Sequence, residues 1–130
     1  MQRVIMVADD SSTVRKFVSF SLKMKNFKVL TAEDGMDALE KMSLAKVDLL
    51  IVDLNMPNMD GYELIRTVRQ SEDYHDLPII ILSSERSEEA IRKGKEVGAN
   101  AYLVKPFDSK KVLYQVSKFL DLNEPAEDES

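Results

Sequence analysis

The chain has 130 residues, 44% of them hydrophobic and 32% charged, with 23 acidic and 18 basic side chains, one histidine and no cysteine. That balance suits one globular domain with its own core, and the missing cysteines exclude a disulfide framework, a thiolate zinc site and a cysteine nucleophile. No run approaches the roughly 20 apolar residues of a membrane span, the start Met-Gln-Arg-Val-Ile lacks a signal peptide's apolar stretch, and a net charge of −5 argues against a basic nucleic-acid face; a cytoplasmic protein with no membrane or nucleic-acid partner is expected.

In chain order, Val4-Ile5-Met6-Val7 reads as a first strand, and Asp9-Asp10 follows it. Val14, Phe17, Val18 and Leu22 then recur at helical spacing, with Ser12 as the expected N-cap. Lys28-Val29-Leu30-Thr31 is a weaker, edge-like strand, and Met36, Leu39 and Met42 mark a second helix capped by Asp34. Leu49-Leu50-Ile51-Val52 is a fully apolar third strand that runs into Asp53. Asp60 caps a helix carrying Leu64, Ile65 and Val68; Ile79-Ile80-Ile81-Leu82 is the fourth strand, running into Ser83-Ser84. Ser87 caps a helix with Ala90, Ile91 and Val97, and Gly98-Ala99-Asn100 suits its stop. Ala101-Tyr102-Leu103-Val104 is a second edge-like strand, followed by Lys105-Pro106. Asp108 or Ser109 caps the most amphipathic helix, with Val112, Leu113, Val116, Phe119 and Leu120. The residues after it, Asp121 to Ser130, hold five acids and no base, so residues 1–120 carry 18 charges of each sign. A domain over 1–120 and a disordered acidic tail over 121–130 are expected.

Continuous rather than alternating apolarity marks a parallel sheet covered by helices on both faces, which places the chain in the α/β class. Right-handed crossovers, with the second and fifth strands at the edges, favour the order 2-1-3-4-5. In that order the winding reverses between strands 1 and 3, and ligands of open α/β sheets bind at the carboxyl ends beside such a reversal. Polar residues stand there: Asp9-Asp10, Asp53, Ser83-Ser84 and Lys105-Pro106. Singly each has an ordinary reading, as a helix cap, a loop acid, a loop hydroxyl or an extended turn. Together they bring three carboxylates to adjacent strand ends. At about 5 Å and an effective dielectric near 20, each pair repels by roughly 3 kcal/mol, so the cluster calls for a cation or raised pKa values. Oxygen ligands alone select Mg²⁺ or Mn²⁺, which keeps positions open for water or phosphate oxygens. Lys105 suits a phosphoryl oxygen and Ser83 is a neutral donor, so the set reads as a phosphoryl-transfer site.

These residues resemble the receiver domain of two-component response regulators, most closely the stand-alone chemotaxis (CheY-like) type. The resemblance spans residues 2–120 and rests on Asp9-Asp10, on Asp53-Leu54-Asn55-Met56-Pro57-Asn58-Met59-Asp60-Gly61, on Ile81-Leu82-Ser83-Ser84, and on Tyr102-Leu103-Val104-Lys105-Pro106-Phe107. It implies a flavodoxin-like (βα)5 fold. It also implies that Asp53 accepts a phosphoryl group from a sensor histidine kinase or a small donor such as acetyl phosphate. Asp10, Asp53 and the backbone carbonyl of Asn55 would hold Mg²⁺ directly, with Asp9 acting through water. Lys105 would pair with a phosphoryl oxygen, Ser83 would bind another, and Tyr102 would turn into the space Ser83 leaves. A cis bond from Lys105 to Pro106 belongs to the same pattern. The surface of the fourth helix, fifth strand and fifth helix would then exist in two states for a downstream partner, such as a flagellar motor switch component or a phosphotransfer protein.

Ser83 stands where threonine is commoner in such domains, and Ser84 where a small residue is usual; Asn55 and Glu85 occupy positions that vary dephosphorylation. The expected protein is a single-domain regulator, not an enzyme on a separate substrate. A regulator in a non-chemotaxis phosphorelay is the alternative. A hydrolase with Asp53 as nucleophile is disfavoured, because haloacid-dehalogenase-type phosphatases carry a second acid where this chain has Asn55. A phosphorylation-independent interaction module is disfavoured by the complete site. Met6, Met36 and Met42 are expected in the core, Met56 and Met59 in loop packing, and His75 on the surface.

Overall fold

The computed structural model describes residues 2–120, and strands and helices alternate along them without exception. The elements are β1 (Val4–Ala8), α1 (Ser12–Lys23), β2 (Lys28–Ala32), α2 (Gly35–Leu44), β3 (Leu49–Asp53), α3 (Gly61–Arg69), β4 (Ile79–Ser83), α4 (Glu88–Val97), β5 (Ala101–Val104) and α5 (Ser109–Leu120). Met1 and the acidic tail over 121–130 lie outside the described residues. The strands form one parallel sheet of order β2-β1-β3-β4-β5, the order favoured by right-handed crossovers with the second and fifth strands at the edges and the flavodoxin-like (βα)5 fold that the resemblance implies. No described helix is long and apolar enough to cross a membrane.

Alternation of side chains along each strand divides the core in two. Ile5, Val7, Leu49, Ile51, Ile80 and Leu82 pack with Val18 and Leu22 of α1 and with Val112, Val116 and Leu120 of α5. Met6, Ala8, Leu50, Val52, Ile79 and Ile81 pack on the opposite face, with Ala38 and Met42 of α2 and Leu64, Ile65 and Val68 of α3. Every residue of β3 and β4 is buried, whereas β2 opens on the exposed Lys28 and most of β5 is half-buried, in line with central and edge positions.

Three local expectations are corrected. Ser11, not Ser12, caps α1, its hydroxyl accepting the Val14 N–H at 3.3 Å. Both serines have the right chemistry, and only the backbone, extended at Ser11, decides between them. Met36 is 55% exposed instead of buried. Six residues separate it from Met42, which places the two about 120° apart around a helix, and the buried stripe of α2 runs through Gly35, Ala38 and Met42. Phe17 lies outside the Val14, Val18, Leu22 stripe and meets Phe107 with ring centroids 6.2 Å apart. Asp34, Asp60 and Ser87 cap α2, α3 and α4 as expected, and Asp108 caps α5 by accepting the Lys111 N–H at 2.9 Å. Met56 is buried against the α2 and α3 side of the core, and His75 is exposed.

The cap assignment gives a direct prediction. Ser11→Ala should lower unfolding stability by about 1 kcal/mol in urea denaturation, while Ser12→Ala stays within about 0.5 kcal/mol of the parent. The reverse order would return the cap to Ser12.

Candidate functional site

Strand register builds the site before any side chain is considered. Ala8 lies opposite Val52, so Asp9 and Asp53 end adjacent strands at the same height. Ser83 lies opposite Val104, which brings Lys105 one step beyond it. Asp9, Asp53 and Lys105 continue the alternation of Val7, Ile51 and Leu103, whose side chains face α1 and α5. Ser83 and Tyr102 fall on the other face, with Ile81 and the core under α2, α3 and α4. The charged residues therefore converge on one side of the strand ends, and the hydroxyl residues point toward α4.

Asp9 and Asp53 are buried, at 1% and 5% exposure, while Asp10 is exposed. Carboxylate oxygens of these three residues all lie within 4.8 Å of one another. Lys105 Nζ is 3.1 Å from Asp9 Oδ2 and 3.6 Å from Asp53 Oδ1. The second oxygen of Asp9 accepts the Ser11 N–H at 2.9 Å, and the Asp9 carbonyl accepts from Arg15 Nη1 at 2.6 Å. One ammonium thus meets two of the three carboxylates, and Asp53 responds to its surroundings. Burial, and then the Asp9 charge, pushes its carboxyl up from 3.8 to about 6, against the pull of Lys105 and of the Asn55 N–H. The donor set is oxygen only, buried on one side, open at Asp10 and in excess of negative charge. It fits a hard divalent cation of the Mg²⁺ class and offers nothing to a soft one.

The surrounding loops are fixed by contacts that spacing alone does not reveal. Gly61 must be glycine, because a Cβ there would run into the Asp53 carbonyl oxygen and lie 2.8 Å from the Leu54 Cα. Its N–H donates to Leu54 O at 3.0 Å, which pins the start of α3 to the end of β3. The loop carrying Asn55 is tied to α2 by Asn58 Nδ2 donating to Asp34 Oδ2 at 2.6 Å and by Gly35 N–H donating to Met59 O at 3.1 Å. Asn58 takes φ 67°, a left-handed conformation asparagine tolerates better than most residues. Ser83 is fully buried, and its Oγ accepts the Glu85 N–H at 3.0 Å. Tyr102 donates its hydroxyl proton to the Glu85 carbonyl at 2.6 Å. Glu85 therefore joins the two hydroxyl residues through its backbone, which no side-chain identity could disclose. The Lys105–Pro106 bond is cis, as the resemblance implies, and an apolar groove lined by Val14, Phe17, Pro106 and Phe107 opens beside Lys105.

The chain matches the family model of the response regulator receiver domain over residues 5–117. It is 37% identical to Protein PilG of Pseudomonas aeruginosa over 109 residues, covering 84% of this chain and 81% of PilG. It is 32% identical over 120 residues to the CAI-1 autoinducer sensor kinase/phosphatase CqsS of Vibrio cholerae, covering 92% of this chain but 18% of that kinase's length. Among solved structures, the chemotaxis response regulator CheY4 of Vibrio cholerae superimposes with a TM-score of 0.87 at 38% identity, covering 92% of this chain and 99% of CheY4.

The raised carboxyl makes a stability prediction with a definite sign. A folded-state pKa near 6 against 3.8 means the native protein holds the Asp53 proton more tightly than the unfolded chain. Stability from this group is therefore complete below pH 3.8 and is lost as pH rises through about 6. With divalent ions chelated at pH 7.5, Asp53→Asn should be more stable than the parent by about 2 kcal/mol in urea denaturation. The gap should close below pH 4 and narrow when Mg²⁺ is added. Equal stability at pH 7.5 would contradict the raised pKa of the buried carboxyl.

Proposed function

The chain belongs to the response regulator receiver domain family, and from that premise we propose that it is a CheY-like, chemotaxis-type regulator switched by phosphorylation of Asp53. The observation that carries this reading is the convergence of Asp9, Asp10, Asp53 and Lys105 at register-matched strand ends. Asp10 and Asp53, with the Asn55 carbonyl, would hold Mg²⁺ directly and Asp9 would act through water; when bound, the ion offsets charge on the carboxylates and on the incoming phosphoryl oxygens.

The chain's own groups account for the remaining chemistry. A carboxylate oxygen of Asp53 attacks the phosphorus of a phosphohistidine on a sensor histidine kinase, or of acetyl phosphate. The bond to the leaving nitrogen or oxygen breaks, the leaving group keeps the electron pair, and Asp53 becomes an acyl phosphate. Lys105 already stands within 3.6 Å of an Asp53 oxygen and moves its charge onto a phosphoryl oxygen. Ser83 donates its hydroxyl proton to another, since the Glu85 N–H occupies only an acceptor lone pair of Oγ. Water attack on phosphorus later cleaves the acyl phosphate, releasing orthophosphate and restoring the carboxylate. The cycle regenerates one side chain and turns over no separate substrate, so the protein is not an enzyme in the ordinary sense. Asn55 supports this over hydrolysis of free phosphomonoesters, because it leaves no second acid two residues after the nucleophile.

The output surface is formed by α4, β5 and α5, and the Ser83–Glu85–Tyr102 hydrogen bonds link it to the site. A downstream protein of the motor-switch or phosphotransfer kind, in the cytoplasm, would read that surface. With Mg²⁺ and acetyl phosphate, mass spectrometry should find one added phosphoryl group per chain, absent in Asp53→Asn and absent when Mg²⁺ is chelated. An unlabelled parent protein, or a labelled Asp53→Asn, would overturn the assignment. Sustained phosphate release from an unrelated phosphomonoester would favour the hydrolase instead.

A further inference from the structure

Helix α4 is lightly anchored for an element that must transmit a signal. Gly94 is its only buried residue, and most of its remaining side chains are charged. A glycine in a helix interior weakens it by about 1 kcal/mol relative to alanine, but here a Cβ would lie 2.7 Å from Ile81 Cδ1 and 3.3 Å from the Tyr102 ring. The α4 backbone therefore rests directly on Tyr102, the residue already tied to Ser83 through Glu85.

A second tyrosine meets the same stripe of α4 one turn earlier. The Tyr62 hydroxyl donates to the Ala90 carbonyl at 3.5 Å, the long end of hydrogen-bonding distance, and Lys93 Nζ sits 4.4 Å from the centre of the Tyr62 ring. Ala90 and Gly94 are four residues apart on one helix face, so Tyr62 and Tyr102 hold that face side by side. Tyr62 is half-buried against the same core as Tyr102, and burial, then the neighbouring Tyr102 and Glu85, raises its phenol pKa. At its other end Tyr62 follows Gly61, whose backbone abuts the Asp53 carbonyl and donates to Leu54 O. A continuous series of contacts thus runs from the end of β3 through Gly61 and Tyr62 to Ala90 and Lys93. It runs beside the series through Ser83, Glu85 and Tyr102, and Tyr62 lies close enough to feel Tyr102 and Glu85, but the contacts named in the two series involve different residues.

We propose that Tyr62 is a second positioning residue for α4, holding the helix to the acceptor strand by a route that bypasses Ser83 and Tyr102. The signalling part of this inference rests on Asp53 phosphorylation; the grip on α4 does not. Two routes give α4 two constraints, so a change at the strand end reaches the helix even when one is cut. The long Tyr62 hydrogen bond is the adjustable one, since a small rotation of α4 either tightens it or releases it.

Amide hydrogen exchange tests both parts. Without any phosphoryl mimic, Tyr62→Phe should speed exchange across residues 91–95 by about two- to tenfold, the size of one net hydrogen bond, with the amides of β1 and β3 unchanged. Tyr62→Leu, which also removes the ring beneath Lys93, should speed it further. Unchanged α4 exchange in both variants overturns the grip. With Mg²⁺ and beryllofluoride as the mimic, Tyr102→Phe should keep part of the change in α4 exchange and Tyr62→Phe/Tyr102→Phe should lose it, at equal global stability and equal beryllofluoride loading. Loss of the whole change in Tyr102→Phe alone overturns the second route. Failure of beryllofluoride to load the parent protein is a separate result and would count against the Asp53 reading instead.

Discussion

Three clustered carboxylates, two of them within 3.6 Å of one ammonium, are the constraint on which the rest of the molecule depends. Asp9 and Asp53 are buried because β1 and β3 bring them side by side at the mouth of a dry core, and Asp10 adds a third charge from the solvent side. Lys105, reaching in from the end of an edge strand, offsets only part of that charge. A fold does not gain stability from such an arrangement; the Asp53 carboxyl, raised first by burial and then by the Asp9 charge, shows its cost. A divalent cation would relieve the tension, and conversion of Asp53 to the proposed acyl phosphate would redistribute it. The net −5 of the whole chain says little about this. It is carried by the residues after Leu120, while the charge that matters is local.

Under the proposed function, period-2 geometry is what would turn that local charge into a signal. Because successive residues of a strand face opposite sides, Asp53 and Lys105 lie on the α1 and α5 side while Ser83 and Tyr102 lie on the α4 side. A group on Asp53 can thus be met by charge from one side and by a hydroxyl from the other, and only the hydroxyl side leads to a lightly held helix. Helix α4, with a bare glycine against Ile81 and Tyr102, buries fewer residues than any other of the five helices.

Much of this was legible in the amino-acid order. Apolar runs such as Leu49-Leu50-Ile51-Val52 and Ile79-Ile80-Ile81-Leu82 can satisfy both faces only in a covered parallel sheet, and the polar residues that end them mark the site. What was not legible has physical causes. Ser11 and Ser12 differ as caps only in backbone angles. Met36 follows a helical spacing that drifts off the buried stripe after six residues. Glu85 acts through its amide and carbonyl, and Gly61 through the absence of a Cβ, so neither could announce its role by side-chain chemistry. Tyr62 reads in sequence as one more residue of an amphipathic helix; only the packing of α3 against α4 sets its hydroxyl beneath Ala90.

The most direct test of the account is a carbon-13 NMR titration of the Asp53 side-chain carboxyl with and without Mg²⁺. Without the ion, the midpoint should fall near 6, well above the ordinary 3.8, and saturating Mg²⁺ should move it below that ordinary value. A midpoint near 3.8 that Mg²⁺ leaves in place would mean that the three carboxylates neither crowd one another nor share a cation, and the proposed chemistry would lose its physical basis.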